Sequence, residues 1–360
     1  MGELRARGVT TFFVVPSTVD DPTVPSGGNR YDRELFARLP DARKVLVPGS
    51  WPHPNADARD RLRQELAQLP DAGVVLVDGL VAGSVPEVVV PQAQRLRIVV
   101  LVHLPLAAET GLTHEVAVDL DRREHRVLHA ARAIVATSVW SADALVRRHG
   151  LDAERVHAVL PGVDTAPLAE GTDGVSRLLC VASVTPRKGH DVLVDALAGV
   201  ADRTWRCRFV GPWRAPDFLA VVREKIARHG LDRRVELVGA QSSARLAVEY
   251  DAADLVVLPS RSETYGMVVT EALARAVPVV ASTVDGVPEA LGVTPDGAIP
   301  GLLVAPGDAV AWSAALNSWF SDPALRERLR GAARRRRAML ESWDATSGRL
   351  AALLDRMHAP

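Results

Sequence analysis

Residues 254–283 read DLVVLPSRSETYGMVVTEALARAVPVVAST. Two short apolar runs, DLVVLP and PVVAST, bracket a polar loop and a segment with helical character from about Tyr265. Near-continuous apolar runs of this kind suit parallel strands covered on both faces. Strand, loop, helix and strand in succession form the repeating unit of an α/β fold. Glu263 and Glu271 flank the mouth of the helix, with the Tyr265-Gly266 pair between them. The helix body is apolar, so the two carboxylates call for a partner from outside it.

The same unit recurs along the chain. TTFFVVP, RKVLVPG, GVVLVDG, RIVVLVH, AIVATS and RVHAVLPG read as strands of a first half. RLLCVAS, WRCRFVG, RVELVG, DLVVLPS and PVVAST read as strands of a second, and amphipathic stretches separate them throughout. Between the halves, LPGVDTAPLAEGTDGVS (Leu160–Ser176) is rich in Pro, Gly, Asp and Thr and has no regular period, a linker composition. The expected architecture is two doubly wound, Rossmann-like α/β domains of about six strands each, facing a cleft. The boundaries are 1–167, 168–338 and a C-terminal helix over 339–360 that returns toward the first domain. Ligands of open α/β sheets bind outside the carboxyl ends of the strands.

Composition narrows the function. The 360 residues carry a net charge of −1, so no global field draws the protein to nucleic acid or acidic lipid. The two cysteines, Cys180 and Cys207, lie in strand-like runs and form no CxxC, which fits buried free thiols. The apolar stretch near the N-terminus is too short for a signal sequence, and no run is long enough to span a membrane. The expectation is a cytoplasmic protein, with peripheral membrane contact not favoured. RRRR at Arg334–Arg337 reads as a solvated helix face.

Several site motifs are missing. No GxGxxG follows a strand, and there is no GxxxxGK[ST]. His114-Glu115 does not continue to HExxH, because Val118 stands where the second histidine would be. Asp119 and Asp121 point apart on a helix, and His125 and His129 share a face without a third ligand in view. No metal site is expected.

What remains sits at strand ends. A helix N-terminus exposes unpaired N–H groups and partial positive charge, and Gly266 lets a ligand approach the backbone. VASVTPRKGHDVLVDAL (Val181–Leu197) places Arg187 and Lys188 at another strand end of the same half. Carboxylates there suit sugar hydroxyls, and cations suit a diphosphate. Taken singly, Glu263 reads better as a helix cap, Glu271 as a surface pair and Arg187-Lys188 as a solvated loop.

Together these motifs change the balance. Glu263-x7-Glu271, ADLVVLPS, MVVTEALARAVPVVAS, TPRKGHDVLVDAL and LPGVD resemble retaining glycosyltransferases of family 4, which have the GT-B fold. In the first half the resemblance rests on PSGGNRYDREL and VLVHLPL. It implies that Glu271 holds the ribose of a nucleotide sugar and Glu263 orients the donor hexose. It implies that the backbone of Tyr265, Gly266, Met267 and Val268 meets the phosphates and that Lys188 neutralises them. His103 would touch the transferred sugar, Gly27 and Gly28 would let a loop approach the substrates, and Gly211, Pro212 and Val238 would frame the base. The implied reaction moves a hexose from a nucleoside-diphosphate sugar, UDP by default, to an acceptor. It needs no metal and no cofactor beyond the donor.

The chain departs from the family at one place. Where the family carries Gly-Arg before the loop, this chain has Ala182-Ser183. Losing a charge-assisted hydrogen bond there costs about 1.5–3 kcal/mol unless another group replaces it. Arg187 is the candidate substitute, and Ser183 would line the donor site in place of the arginine. The mixed charges of ADARDRLRQELAQL favour a soluble acceptor over a lipid. The competing readings are a nucleotide-sugar epimerase and a non-catalytic nucleotide-sugar-binding homologue.

Overall fold

The computed structural model describes residues 10–21, 26–39 and 41–358. The basic residues at the start of the chain and Pro25 of the PSGG stretch lie outside the described residues. The chain forms two compact units, residues 1–162 with 343–360, and residues 163–342. The first division falls inside the Leu160–Ser176 stretch.

The first unit holds β1 (Thr11–Pro16), β2 (Ala42–Val47), β3 (Val74–Asp78), β4 (Arg97–Val102), β5 (Ala133–Ala136) and β6 (Val156–Ala158). They form one sheet in the order β2-β1-β3-β4-β5-β6, and every pairing is parallel. The second unit holds β7 (Arg177–Val181), β8 (Arg206–Val210), β9 (Val235–Gly239), β10 (Leu255–Leu258), β11 (Val279–Ser282) and β12 (Gly301–Val304). Its order is β12-β11-β10-β7-β8-β9, again all parallel.

Burial follows position in the sheet. Every residue of the interior strands β1, β3, β5, β10 and β11 is buried, whereas the edge strands β2, β6, β9 and β12 are partly exposed. This is what helices on both faces of a parallel sheet require. In the first unit Val75, Val77, Ile98, Val100 and Ile134 pack with Leu62, Leu66, Leu128 and Leu145 from the helices. In the second, Leu178, Cys180, Phe209, Val257 and Val280 pack with Leu193, Leu197, Trp312, Leu316 and Trp319. Each such side chain contributes about 1.5–3 kcal/mol on burial. Both cysteines are free and buried.

Helix starts are marked by short polar caps. Ser26, Asn55, Thr113, Ser138, Ser242, Asp308 and Asp322 each accept a hydrogen bond from a backbone N–H of the following turn. The last helix, Trp343–His358, packs in the first unit through Trp343, Leu350, Leu353 and Leu354. Thr346 Oγ1 donates to Leu160 O at 2.9 Å, and Arg97 Nη1 donates to Met357 O at 2.8 Å. No helix among the described residues is long and apolar enough to cross a membrane.

The arginine run departs from the expected solvated face. Arg334 and Arg335 are exposed, but Arg336 donates to Leu291 O at 3.1 Å and Arg337 to Ala274 O at 2.7 Å and Ala166 O at 2.5 Å. Half of the run therefore ties neighbouring segments to the helix, because a guanidinium on a long side chain reaches carbonyls of segments packed beside it.

Candidate active site

In the second sheet β7 lies between β10 and β8, so the strand order reverses direction at the β7–β10 boundary. In open α/β sheets such a reversal is where ligands commonly bind; here the loops that leave the two strands meet each other. The β7 loop carries Ser183, Arg187 and Lys188, and the β10 loop carries Glu263, Tyr265 and Gly266. Gly189 joins them. Its φ is +67°, and a Cβ at this residue would lie 2.0 Å from Pro259 O, so only glycine permits the contact. Arg261 N donates to Arg187 O at 2.7 Å, and the Arg261 guanidinium grips both Asp191 oxygens at 2.9 and 2.7 Å.

This docking brings charges together. Lys188 Nζ donates to Glu263 Oε2, and Arg187 Nη1 stands 3.8 Å from the same oxygen while donating to Ser262 O at 3.3 Å. The Glu263 side chain is 15% exposed. Burial would raise its pKa, but Lys188 and then Arg187 outweigh burial and hold the carboxyl below its ordinary range. Glu263 is therefore ionised, and the cluster holds two cations for one carboxylate.

The residues that support this loop carry no strong signal in the sequence. Asp285, with φ +45°, accepts from Ser262 Oγ at 2.6 Å and from Glu263 N at 2.8 Å. Gly286 N donates to Glu263 O at 3.1 Å. The signal available was an Asp-Gly pair one residue after the PVVAST run, a turn-forming pair that also reads as ordinary loop.

The helix expected near Tyr265 runs Met267–Leu273, with Gly266 at its N-cap and φ +93°. Val268 lies in its first turn and Tyr265 is buried just before it. Glu271 is 8% exposed, so it is not the surface pair that it resembled in isolation. It accepts from Tyr250 Oη at 2.7 Å, and the Arg275 guanidinium lies 4.7 Å from the Tyr250 ring. Gly211 serves packing, since a Cβ there would lie 2.0 Å from Ala182 O, and β8 thereby closes tightly on the loop that carries Ser183. Val238 lies half-buried in the edge strand β9. Pro212 O accepts from Val184 N at 2.9 Å.

In the first sheet the reversal falls between β1 and β3. Asp78 ends β3, His103 follows β4, and Asp32 sits on the helix Gly27–Phe36 that follows β1. His103 Nε2 is 2.8 Å from Asp32 Oδ1. Ring nitrogen and carboxylate oxygens of His103, Asp32 and Asp78 lie within 4.8 Å of one another. Gly27 opens the helix, and Gly28 leaves room for the imidazole, since a Cβ there would lie 3.2 Å from the ring. The Tyr31 ring meets His103 edge-on at 5.3 Å. Neither Asp32 nor Asp78 was visible as a partner of His103 from sequence.

A second cluster lies elsewhere in this unit. The His125 and His129 rings are 4.2 Å apart, and His149 joins His125 at 5.7 Å. His149 faces Glu124 at 3.5 Å, while Asp121 is engaged by Arg148 at 2.5 Å and Asp119 by Arg123 at 2.7 Å.

Comparison with known proteins identifies the plan of both units. Residues 1–167 match the family described as Glycosyltransferase Family 4, and residues 171–336 match Glycosyl transferases group 1. The chain belongs to glycosyltransferase family 4. The D-inositol 3-phosphate glycosyltransferase of Jonesia denitrificans is 32% identical over 254 residues, 65% of this chain and 59% of that protein. The enzyme of the same name from Actinosynnema mirum is 35% identical over 253 residues, 64% of this chain and 58% of its own. The chain thus spans less than two thirds of the length of the curated relatives that it matches.

Solved structures show the fold. Sucrose-phosphate synthase from Thermosynechococcus elongatus matches with a TM-score of 0.78 at 22% identity, over 97% of this chain and 99% of that one. Anabaena HepE in complex with UDP and glucose matches with a TM-score of 0.77 at 17% identity, over 97% and 100%. The chain has the GT-B fold of these proteins.

Proposed function

We propose that this glycosyltransferase moves a hexose from a nucleoside-diphosphate sugar, UDP by default, to a small soluble acceptor with retention of anomeric configuration and without a metal. The observation that carries the reading is the convergence of Lys188 and Arg187 on ionised Glu263 at the strand-order reversal of the second sheet. Two cations meet at the Glu263 carboxylate itself, while Asp285 is engaged by Ser262 Oγ and the Glu263 N–H, and that pair of cations suits a diphosphate. Glu263 then orients hexose hydroxyls, and buried Glu271, steadied by Tyr250, takes the ribose hydroxyls. Arg187 supplies the second cation that the family places where this chain has Ser183. Backbone groups of Gly266, Met267 and Val268 complete the phosphate contacts.

The bond from the anomeric carbon to the diphosphate oxygen breaks as the acceptor oxygen bonds to the same carbon on the same face. The acceptor proton passes to the departing diphosphate. Lys188 offsets the negative charge that develops there, the placement in which a fixed cation lowers a barrier. His103 is assigned to the transferred sugar. The names of the curated relatives favour a phosphorylated polyol as acceptor.

A thermal-shift screen against UDP, GDP, ADP and their glucose, mannose and N-acetylglucosamine conjugates, with and without EDTA, tests the donor. A ligand at ~100 Kd stabilises the native state by ~2.7 kcal/mol. The expected result is a shift with one base that EDTA leaves unchanged, followed by release of that nucleoside diphosphate when inositol phosphate is added. A shift without turnover on any acceptor would favour the binding-only reading that Ser183 encourages. No shift with any nucleotide would overturn the proposal.

A further inference from the structure

The Glu263 cluster balances its charges with an excess of cation. The His103 cluster has the opposite composition: two carboxyl groups behind one imidazole. Asp32 is 2% exposed and Asp78 5%. Asp32 Oδ1 meets His103 Nε2 at 2.8 Å, and Asp32 Oδ2 is enclosed with no hydrogen-bond partner among the described residues. Asp78 Oδ1 accepts from Leu80 N at 2.6 Å. Two buried carboxylates within a few ångströms cannot both stay ionised cheaply beside one imidazolium. A proton on Asp78 removes one charge and supplies a hydrogen for the enclosed Asp32 oxygen.

We propose that Asp32 and Asp78 are positioning residues that hold one proton between them and fix the His103 ring through Nε2, so that Nδ1 meets the substrate as an N–H donor and not as a base. The inference rests on the assignment of His103 to the transferred sugar.

The electrostatics agree with the geometry. Burial alone would lower the His103 pKa, but the Asp32 carboxylate, with a smaller contribution from Asp78, pushes it up to about 9. Burial and then the Asp32 charge push Asp78 up to about 7, against the opposing pull of His103 and the Leu80 N–H. Another titratable neighbour among the described residues is Tyr31, on the same helix as Asp32. It donates its hydroxyl to Val159 O at 2.8 Å, and burial keeps it neutral, with Arg349 of the last helix acting on it. At neutral pH His103 is therefore a cation. Among the described residues nothing else takes its Nδ1, and the side chain keeps 19% exposure. A cationic donor of this kind suits an electron-rich oxygen, either a sugar hydroxyl or a phosphoryl oxygen. It cannot accept the proton of the acceptor, which leaves that proton to the diphosphate.

The test is a direct titration of the His103 imidazole by NMR in the full chain, with EDTA present and the resonance assigned by loss in His103→Gln. The expected midpoint is about 9. In Asp32→Asn it should fall toward the ordinary 6.5, and Asp78→Asn should lower it by less, since an amide still offers a hydrogen to Asp32. A wild-type midpoint near 6.5 overturns the proposal without need of either variant, and so does a midpoint that Asp32→Asn leaves in place. The alkaline limb of kcat/KM should track the same midpoint in wild type and Asp32→Asn. If the imidazole midpoint moves and the kinetic limb does not, the positioning pair stands and the assignment of His103 to the sugar falls.

Discussion

In the second unit one partly buried carboxylate, Glu263, lies beside two cations, Lys188 and Arg187; in the first, one partly buried imidazole, His103, lies beside two buried carboxyl groups, Asp32 and Asp78. Both clusters sit where the strand order of a parallel sheet reverses, and both join loops or helices that follow different strands. The difference lies in the sign of the excess charge. On the readings proposed above, the positive excess is made good by a ligand anion and the negative excess beside an imidazole by a bound proton. One plan would then yield a site for phosphate and a site that holds a proton.

The largest effect expected is that of Lys188→Ala. Removing one fixed donor from a developing charge lowers kcat by about 10²–10³-fold, and kcat/KM should fall with it. Steady-state kinetics on the donor found by the thermal screen checks this. A change confined to KM would reduce Lys188 to a binding group and break the contrast with the proton-holding site.

Glu271→Gln comes next. Hydrogen bonds to a charged group contribute about 1.5–3 kcal/mol, so donor KM should rise roughly 10–100-fold. The value of kcat should hold if Glu271 meets only the ribose. A matching fall in kcat would place Glu271 at the reacting sugar instead.

The two clusters should respond to opposite ends of the pH range. Glu263 has a lowered folded pKa, so its contribution is complete above the ordinary 4.5 and is lost as pH falls through the lowered value. His103 has a raised folded pKa, so its contribution is complete below 6.5 and is lost as pH rises through about 9. Melting temperature followed between pH 6.5 and pH 9 should decline in wild type, and His103→Gln should flatten the decline. An unchanged slope in that variant would remove the alkaline half of the comparison.

The smallest effect is expected from Tyr250→Phe. Its hydroxyl gives Glu271 one hydrogen bond, worth about 1 kcal/mol, so donor KM should rise about fivefold with kcat unchanged. A rise as large as that of Glu271→Gln would show that Tyr250 contacts the donor itself.

Much of the fold was legible because parallel strands buried on both faces leave a strong apolar signature. TTFFVVP, GVVLVDG and PVVAST became β1, β3 and β11. The strand β12 was not picked out: its four residues GLLV lie between Pro300 and the Pro306-Gly307 pair, which punctuate the pattern on both sides. The residues proposed for the donor site stood out in the sequence because Glu263, Arg187 and Lys188 lie in loops at strand ends and Glu271 lies in the short helix that follows. Their pairing was not, because Lys188 and Glu263 are 75 positions apart and meet only through the order of the sheet. Asp32 was harder still. It lies in a charged helical stretch, 71 positions from His103, where an aspartate normally faces solvent.

Apolar periodicity and local backbone preference are written into the chain residue by residue. They were enough to set the α/β alternation, the twofold division and the residue types held at strand ends. No local rule chose which charges became partners. Burial cost and Coulomb attraction depend on distance through space, and that distance follows from the order of strands in each sheet: it placed two cations at Glu263 and two carboxyl groups at His103.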